Sequence, residues 1–169
     1  MSNASELDAL IAQYEHEERW NRLVEALEEK ADSLFDPSER AKVFLRVADV
    51  CRDRLDLDAM VVNALNRAQA ADPTNRQVLD RLEVEYTRMA RWADVVAVLK
   101  KKCALPDALP TYRSPGRQTD LEAYLKLAEI FWDRFSHYGE AMNALREVLA
   151  VDPNNAEAQR LRAKIEGKR

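Results

Sequence analysis

Glycine is scarce in this chain, with three residues in 169, where average usage of about 7% would give roughly twelve. Phosphate-cradling loops, dinucleotide-binding turns and most all-β architectures place glycine at tight turns, so each is disfavoured from the start. Long apolar runs are missing too. No stretch approaches the roughly 18 apolar residues of a membrane span, and Met1 to Ile11 lacks the basic and apolar segments of a secretory signal. There are only two cysteines, Cys51 and Cys103, and two histidines, His16 and His137. Both cysteines fall in apolar helical patterns, which suits small buried hydrophobes in a reducing compartment and leads us to expect a cytoplasmic protein. Neither sign of charge dominates: 26 Lys+Arg stand against 30 Asp+Glu, a net charge of −4. The concentrated basic face of a nucleic-acid binder is absent, and no nucleic-acid partner is expected.

What is present is repetition. Sliding the sequence by 72 aligns 7–31 with 79–103 and gives the identities Leu7/Leu79, Asp8/Asp80, Leu10/Leu82, Tyr14/Tyr86, Arg19/Arg91, Trp20/Trp92, Val24/Val96, Leu27/Leu99 and Lys30/Lys102. A slide of 80 aligns 41–75 with 121–155, including Leu45/Leu125, Ala48/Ala128, Asp53-Arg54/Asp133-Arg134, Asn63-Ala64-Leu65/Asn143-Ala144-Leu145 and Asp72-Pro73/Asp152-Pro153. The eight-residue difference between the slides locates an insertion at 105–118, a stretch with Pro106, Pro110, Pro115 and Gly116. Within each block the apolar residues recur every three or four positions, as in Leu7, Leu10, Tyr14 and in Trp92, Val95, Val96, Leu99, which is the spacing of amphipathic helices.

Helix punctuation sharpens the boundaries. Asp36-Pro37-Ser38-Glu39 supplies an N-cap, a first-turn proline and a glutamate at N3; Ser5–Asp8 and Thr119–Glu122 resemble capping boxes; Asn75 and Asn155 follow prolines as caps. The pattern predicts nine helices, over 5–17, 20–34, 38–54, 58–71, 75–89, 92–104, 119–135, 138–151 and 155–166. The Lys100-Lys101-Lys102 run ends one of them, where cations favour the helix dipole.

Leu79, Leu82 and Tyr86, then Val95 and Leu99, with Pro73 ahead of them, sit at the relative positions of the packing residues of a tetratricopeptide repeat. Two further units look similar with one extra residue before their second helix: Val47, Ala48, Cys51, Val61, Leu65, Ala68, Pro73, and Leu127, Ala128, Phe131, Ala141, Leu145, Val148, Pro153. The chain thus resembles the tetratricopeptide family over 5–153, as four hairpins, with 155–166 as a capping helix. The alternation of an Arg-Trp unit with a Leu-Ala-Asp/Glu unit is similar to segments of long bacterial arrays. This resemblance implies an all-α, right-handed α-solenoid forming a single domain over 1–169, in which the first (A) helices of the hairpins line a concave groove. Where the family keeps a small residue at the helix crossover, this chain has Ala48 and Ala128 but also Ile11 and Glu83.

Counting along the A helices, the residues expected to face that groove are Asp8, Ala12 and Glu15; Lys42, Leu45, Asp49 and Arg52; Gln77, Asp80, Val84 and Thr87; and Glu122, Leu125, Glu129 and Trp132. The family's carboxylate-binding pattern of Lys, Asn and Arg is missing, because the equivalent positions carry Asp8, Asp80, Asp49 and Glu129. Basic residues at Lys42, Arg46, Arg52, Arg81, Arg88 and Lys126 offer an acidic peptide surface-type pairs, although exposed cations are by default solvated helix faces. Trp132 is a candidate anchor, since aromatics are enriched at binding hot spots; Trp20 and Trp92 read more simply as inter-hairpin packing. The insertion, with Tyr112, Arg113 and Arg117, reads as a spacer or as a recognition loop.

Catalysis finds little support. Neither histidine belongs to an HExxH or Cys-His arrangement, and the carboxylates lie on predicted polar faces, so no catalytic, cofactor or metal residue is expected. The expected function is a non-enzymatic protein–protein interaction scaffold that binds a peptide or partner helix and is not inserted in a membrane. The alternatives are a self-assembling segment of a longer solenoid, with Ile11, Leu161 and Ile165 as apolar end contacts, and a regulatory subunit of an enzyme complex.

Overall fold

The computed structural model describes residues 4–105 and 120–167. Among these residues there are nine α-helices and no strand: α1 (Ala4–His16), α2 (Trp20–Ser33), α3 (Pro37–Asp53), α4 (Asp58–Ala71), α5 (Arg76–Arg88), α6 (Trp92–Ala104), α7 (Leu121–Asp133), α8 (Tyr138–Val151) and α9 (Ala156–Glu166). Every helix expected from the apolar spacing is present, with ends shifted by at most two residues. The predicted insertion lies outside the described residues except for Leu105, the C-cap of α6.

The helices form two compact units, Met1–Glu85 and Tyr86–Arg169, the division passing through α5. In the first, α1 packs on α2, α2 on α3 and α3 on α4; in the second, α6 packs on α7, α7 on α8, and α9 on both α7 and α8. The cores are leucine and valine, with Leu23, Leu27, Leu65 and Val47 fully buried in the first unit and Leu99, Leu145, Val95 and Ile165 in the second. Burying each such side chain stabilises by about 1.5–3 kcal/mol. The pairs α3–α4 and α7–α8 share the broadest contacts among those described. They are the two hairpins with alanine at the crossover, where Ala48 and Ala128 are fully buried. A methyl group lets two helix axes approach more closely than the Ile11 side chain of α1 does.

Side-chain caps start α3, α5, α7 and α9, whereas α2, α4, α6 and α8 begin without one. Glu39 N–H donates to Asp36 Oδ1 at 2.7 Å, Val78 N–H to Asn75 Oδ1 at 3.2 Å and Ala158 N–H to Asn155 Oδ1 at 3.0 Å. Asp72 and Asp152 tie down the following turns, their carboxylates accepting from Asn75 and Asn155 at 3.5 and 3.2 Å. Two expected capping boxes are corrected. Ser5 lies inside α1, and α7 is capped by Asp120, which accepts from Ala123 N–H at 3.0 Å; Thr119 is outside the described residues.

The turns inside the hairpins follow a rule that the composition hides. Each contains one residue in the left-handed region, and none is glycine: Glu18 (φ 54°), Asp56 (φ 52°), Ala90 (φ 54°) and Ser136 (φ 54°). The carbonyls at the helix ends are satisfied around them. Arg19 N–H reaches Tyr14 O at 2.9 Å and Arg91 N–H reaches Tyr86 O at 2.8 Å, closing over five residues. In the hairpins with one extra residue, Leu57 N–H reaches Cys51 O at 3.0 Å and His137 N–H reaches Phe131 O at 2.8 Å, closing over six. The extra residue seen in the sequence is therefore absorbed in a wider helix cap.

Two further expectations are corrected. Cys51 is fully buried as expected, but Cys103 is only partly buried. Lys102 lies in the last turn of α6, where its charge was expected to favour the helix dipole, and is the one buried charged residue among those described. Ile11, Leu161 and Ile165, offered as exposed end contacts, are in the core at 5%, 7% and 0% exposure. The predicted period fixed their spacing, but the neighbouring helices cover them.

Two outcomes follow from this packing. Ala90→Gly removes the left-handed penalty, which outweighs the added flexibility of the unfolded chain, and should raise the unfolding free energy by about 0.5–1 kcal/mol in urea melts. Burial, and secondarily the Glu28 carboxylate, pushes the Cys51 thiol above its ordinary value of 9.0. Folding therefore favours the protonated thiol; this contribution is complete below the ordinary value and lost as pH rises through the raised one. In native protein at pH 8, iodoacetamide should modify Cys103 well before Cys51, as read by mass spectrometry of the digested chain.

Candidate protein-binding surface

In the first unit the A helices α1, α3 and α5 are joined by ion pairs. Arg46 of α3 donates to Glu15 of α1 at 2.7 Å, Arg81 of α5 to Asp49 of α3 at 2.5 Å, and Arg52 of α3 pairs with Glu85 of α5. Arg52 also donates to Asp58, at the start of α4, at 2.8 Å. In the second unit Lys164 of α9 pairs with Asp133 of α7 at 3.3 Å. Exposed pairs of this kind each contribute at most about 1 kcal/mol, but the Glu85 side chain is only 13% exposed, which makes the Arg52 rung the strongest.

This arrangement redistributes the expected groove residues. Asp49 and Arg52 are brought together with α5, but as rungs between helices. Lys42 is held by Glu39 of its own helix at 2.6 Å, and that hydrogen bond, followed by the Glu39 charge, raises the ammonium above its ordinary value. Lys126 is likewise engaged by Glu122 at 2.9 Å, and Asp8 by Lys30 at 2.6 Å. Leu45 is corrected outright: it is buried at 6% exposure, because α3 packs on both α2 and α4 and little of its circumference is left to solvent. Asp80, Thr87, Arg88 and Glu129 are exposed, and Trp132 is partly buried. Val84 is the apolar residue that stands out on the A-helix face, 63% exposed on α5.

The basic residues thus do not form an open anion site. Arg46, Arg52 and Arg81 already have carboxylate partners, which removes the main support for an acidic peptide. The sequence shows each of these charges but not their pairing, since the partners lie 31 to 33 positions apart. Trp20 and Trp92 do serve inter-hairpin packing, and in a specific form. The Arg54 guanidinium lies 4.8 Å from the Trp20 ring and that of Arg134 lies 4.4 Å from Trp92, each joining the end of one A helix to the start of the preceding hairpin's second (B) helix. Both members of these pairs appear among the repeat identities, a signal that locates them without showing that they touch.

Two features were not singled out from the sequence. Phe35, in the connection between α2 and α3, is fully exposed. A cavity of about 440 Å³ opens between α6, α7 and α8, with Lys100, Tyr124, Phe131, Asn143 and Glu147 among its walls. Among the described residues no cluster of three or more His, Cys, Asp or Glu side chains is placed to hold a metal ion, and no helix is long and apolar enough to cross a membrane.

Comparison with solved structures gives consistent likenesses. The chain is similar to the MamA protein (16% identity, TM-score 0.52, covering 98% of this chain and 82% of that one). It is similar to a tetratricopeptide repeat protein from Parabacteroides merdae ATCC 43184 (12% identity, TM-score 0.56, covering 98% and 60%). It also resembles the nearly identical TPR-like repeats of a putative kinesin light chain from Podosopora anserina (18% identity, TM-score 0.53, covering 100% and 90%). The fold is of the tetratricopeptide type. At these identities the likeness concerns fold alone. No protein-family model matches the chain, and neither does any curated protein.

The rungs differ in what their loss should cost. Arg52→Ala strips the cation from the largely buried Glu85 carboxylate and should destabilise by about 1–3 kcal/mol. Arg46→Ala, in an exposed pair, should change stability by less than about 0.5 kcal/mol. Chemical denaturation of the two variants side by side checks the order.

Proposed function

We propose that this chain is a non-enzymatic scaffold that binds a protein segment along the A-helix face. The observation that carries this reading is the ladder Glu15–Arg46, Asp49–Arg81 and Arg52–Glu85, which fixes α1, α3 and α5 side by side. A surface held this way is preorganised, so a partner loses little free energy to ordering it. Because the cations of the rungs are already paired, apolar contact at Val84 supplies affinity while the exposed Asp80 carboxylate on the same helix steers the partner. The tetratricopeptide-type fold supports the same reading, since stacked hairpins offer an extended face and no enclosed reaction chamber. The reading places the protein in the cytoplasm, in keeping with the Cys51 thiol. The self-assembly alternative loses its support with the burial of Ile11, Leu161 and Ile165.

Photo-crosslinking amino acids placed singly at positions 84, 12 and 22 test the proposal, position 12 being an exposed alanine on α1 and position 22 an exposed arginine on α2. Adducts with the same protein from positions 84 and 12, lost on Val84→Asp with a drop in affinity of about tenfold, or about 1.4 kcal/mol, are the expected result. Adducts from position 22 alone would overturn it.

A further inference from the structure

In the first unit, the groove where α2, α3 and α4 meet is filled from within. The Arg67 guanidinium of α4 lies 4.4 Å over the Phe44 ring and donates to Glu28 at 2.7 Å and to Asp32 at 2.9 Å. An aromatic floor and two carboxylates hold one arginine.

The second unit repeats this groove between α6, α7 and α8, and the internal repeats pair the positions. Tyr124 stands where the first unit has Phe44, and Asn143 matches Asn63, but Glu147 replaces Arg67, Glu140 replaces Met60, Lys100 replaces Glu28 and Ala104 replaces Asp32. The aromatic floor is kept while the guanidinium is replaced by a carboxylate. The result is the cavity of about 440 Å³, within the range of roughly 300–1,000 Å³ typical of ligand clefts. Glu140 and Glu147 are seven residues apart on α8, two helical turns along one face with Asn143 between them. Neither glutamate has a cation partner among the described residues. The one ammonium in the lining, that of Lys100, is placed over a different ring, 5.5 Å from the centroid of Phe131.

We propose that this cavity binds an arginine side chain presented by a partner protein, its guanidinium stacked on Tyr124 and paired with Glu147 and Glu140. It is the second unit's counterpart of the site that Arg67 fills in its own chain. The lining carries two carboxylates against one ammonium, so its charge is complementary to a cation. A guanidinium suits it better than an ammonium, being planar, weakly hydrated and able to stack while donating along its edge. The site lies on the B-helix side of its unit and does not depend on the A-helix reading.

N-acetyl-arginine amide is the minimal probe, followed by chemical shifts of the whole chain. N-acetyl-citrulline amide has the same shape without the charge, and N-acetyl-lysine amide carries the charge without the plane. Saturable shifts at Tyr124, Asn143 and Glu147, at least tenfold tighter for arginine than for citrulline and weaker for lysine, are expected. Glu147→Gln should weaken binding at least fivefold. The double variant Lys100→Glu, Glu147→Arg rebuilds the arrangement of the first unit and should abolish binding while raising the melting temperature; Tyr124→Phe, which keeps the ring, should retain it. Equal shifts from arginine and citrulline, shifts centred elsewhere, or full binding by the double variant would overturn the proposal. So would sedimentation showing a dimer that Glu147→Gln dissolves, since the occupant would then be a second copy of the chain.

Discussion

Two helices laid side by side have no interior of their own. Each hairpin here has an apolar stripe wider than its partner helix covers, and the remainder can be buried only against the next hairpin. That requirement explains why α2 packs on α3 as well as on α1, why α7 serves α6, α8 and α9, and why α9 lies against both α7 and α8. It also dictates where charge is allowed. Once the stripe is committed to neighbours, the exposed edges of successive A helices face one another, and opposite charges at those edges settle into pairs.

Those pairs give the A-helix face its character. A row of arginines and aspartates looks in sequence like a binding surface for ions or charged peptides, yet the fold spends most of that charge on itself. What that face leaves to solvent is the shape between the rungs and a few apolar or acidic positions. On the B-helix side the logic is the same but the outcome differs between units. Arg67 of α4 completes its groove by reaching α2 over Phe44, whereas the second unit has a carboxylate at the same place and a cavity lined by Tyr124.

The fold was legible because its information is periodic and local. Apolar spacing located nine helices, and Asp36, Asn75 and Asn155 cap the helices that they were expected to cap. Counting around a helix was less informative about exposure. It gives the direction of a side chain but not whether another helix lies there, so Leu45 was assigned to the surface and found in the core. The pairing of Arg52 with Glu85 and the stacking of Arg54 on Trp20 join residues more than thirty positions apart, and single-sequence reasoning has no measure of such distances. The left-handed turns were hidden for a different reason: glycine is the usual marker of that conformation, and here Glu18, Asp56, Ala90 and Ser136 adopt it without one.

The two arginine–tryptophan stacks divide evenly between the units, Trp20 under Arg54 in one and Trp92 under Arg134 in the other. Each spans the seam between one hairpin and the next, so each indole senses whether its own seam is closed. A guanidinium held against an indole alters its emission, and separation of the two returns the ring to water. With Trp132 replaced and one stacked indole kept at a time, each half carries a built-in optical gauge of its own seam, with no label attached.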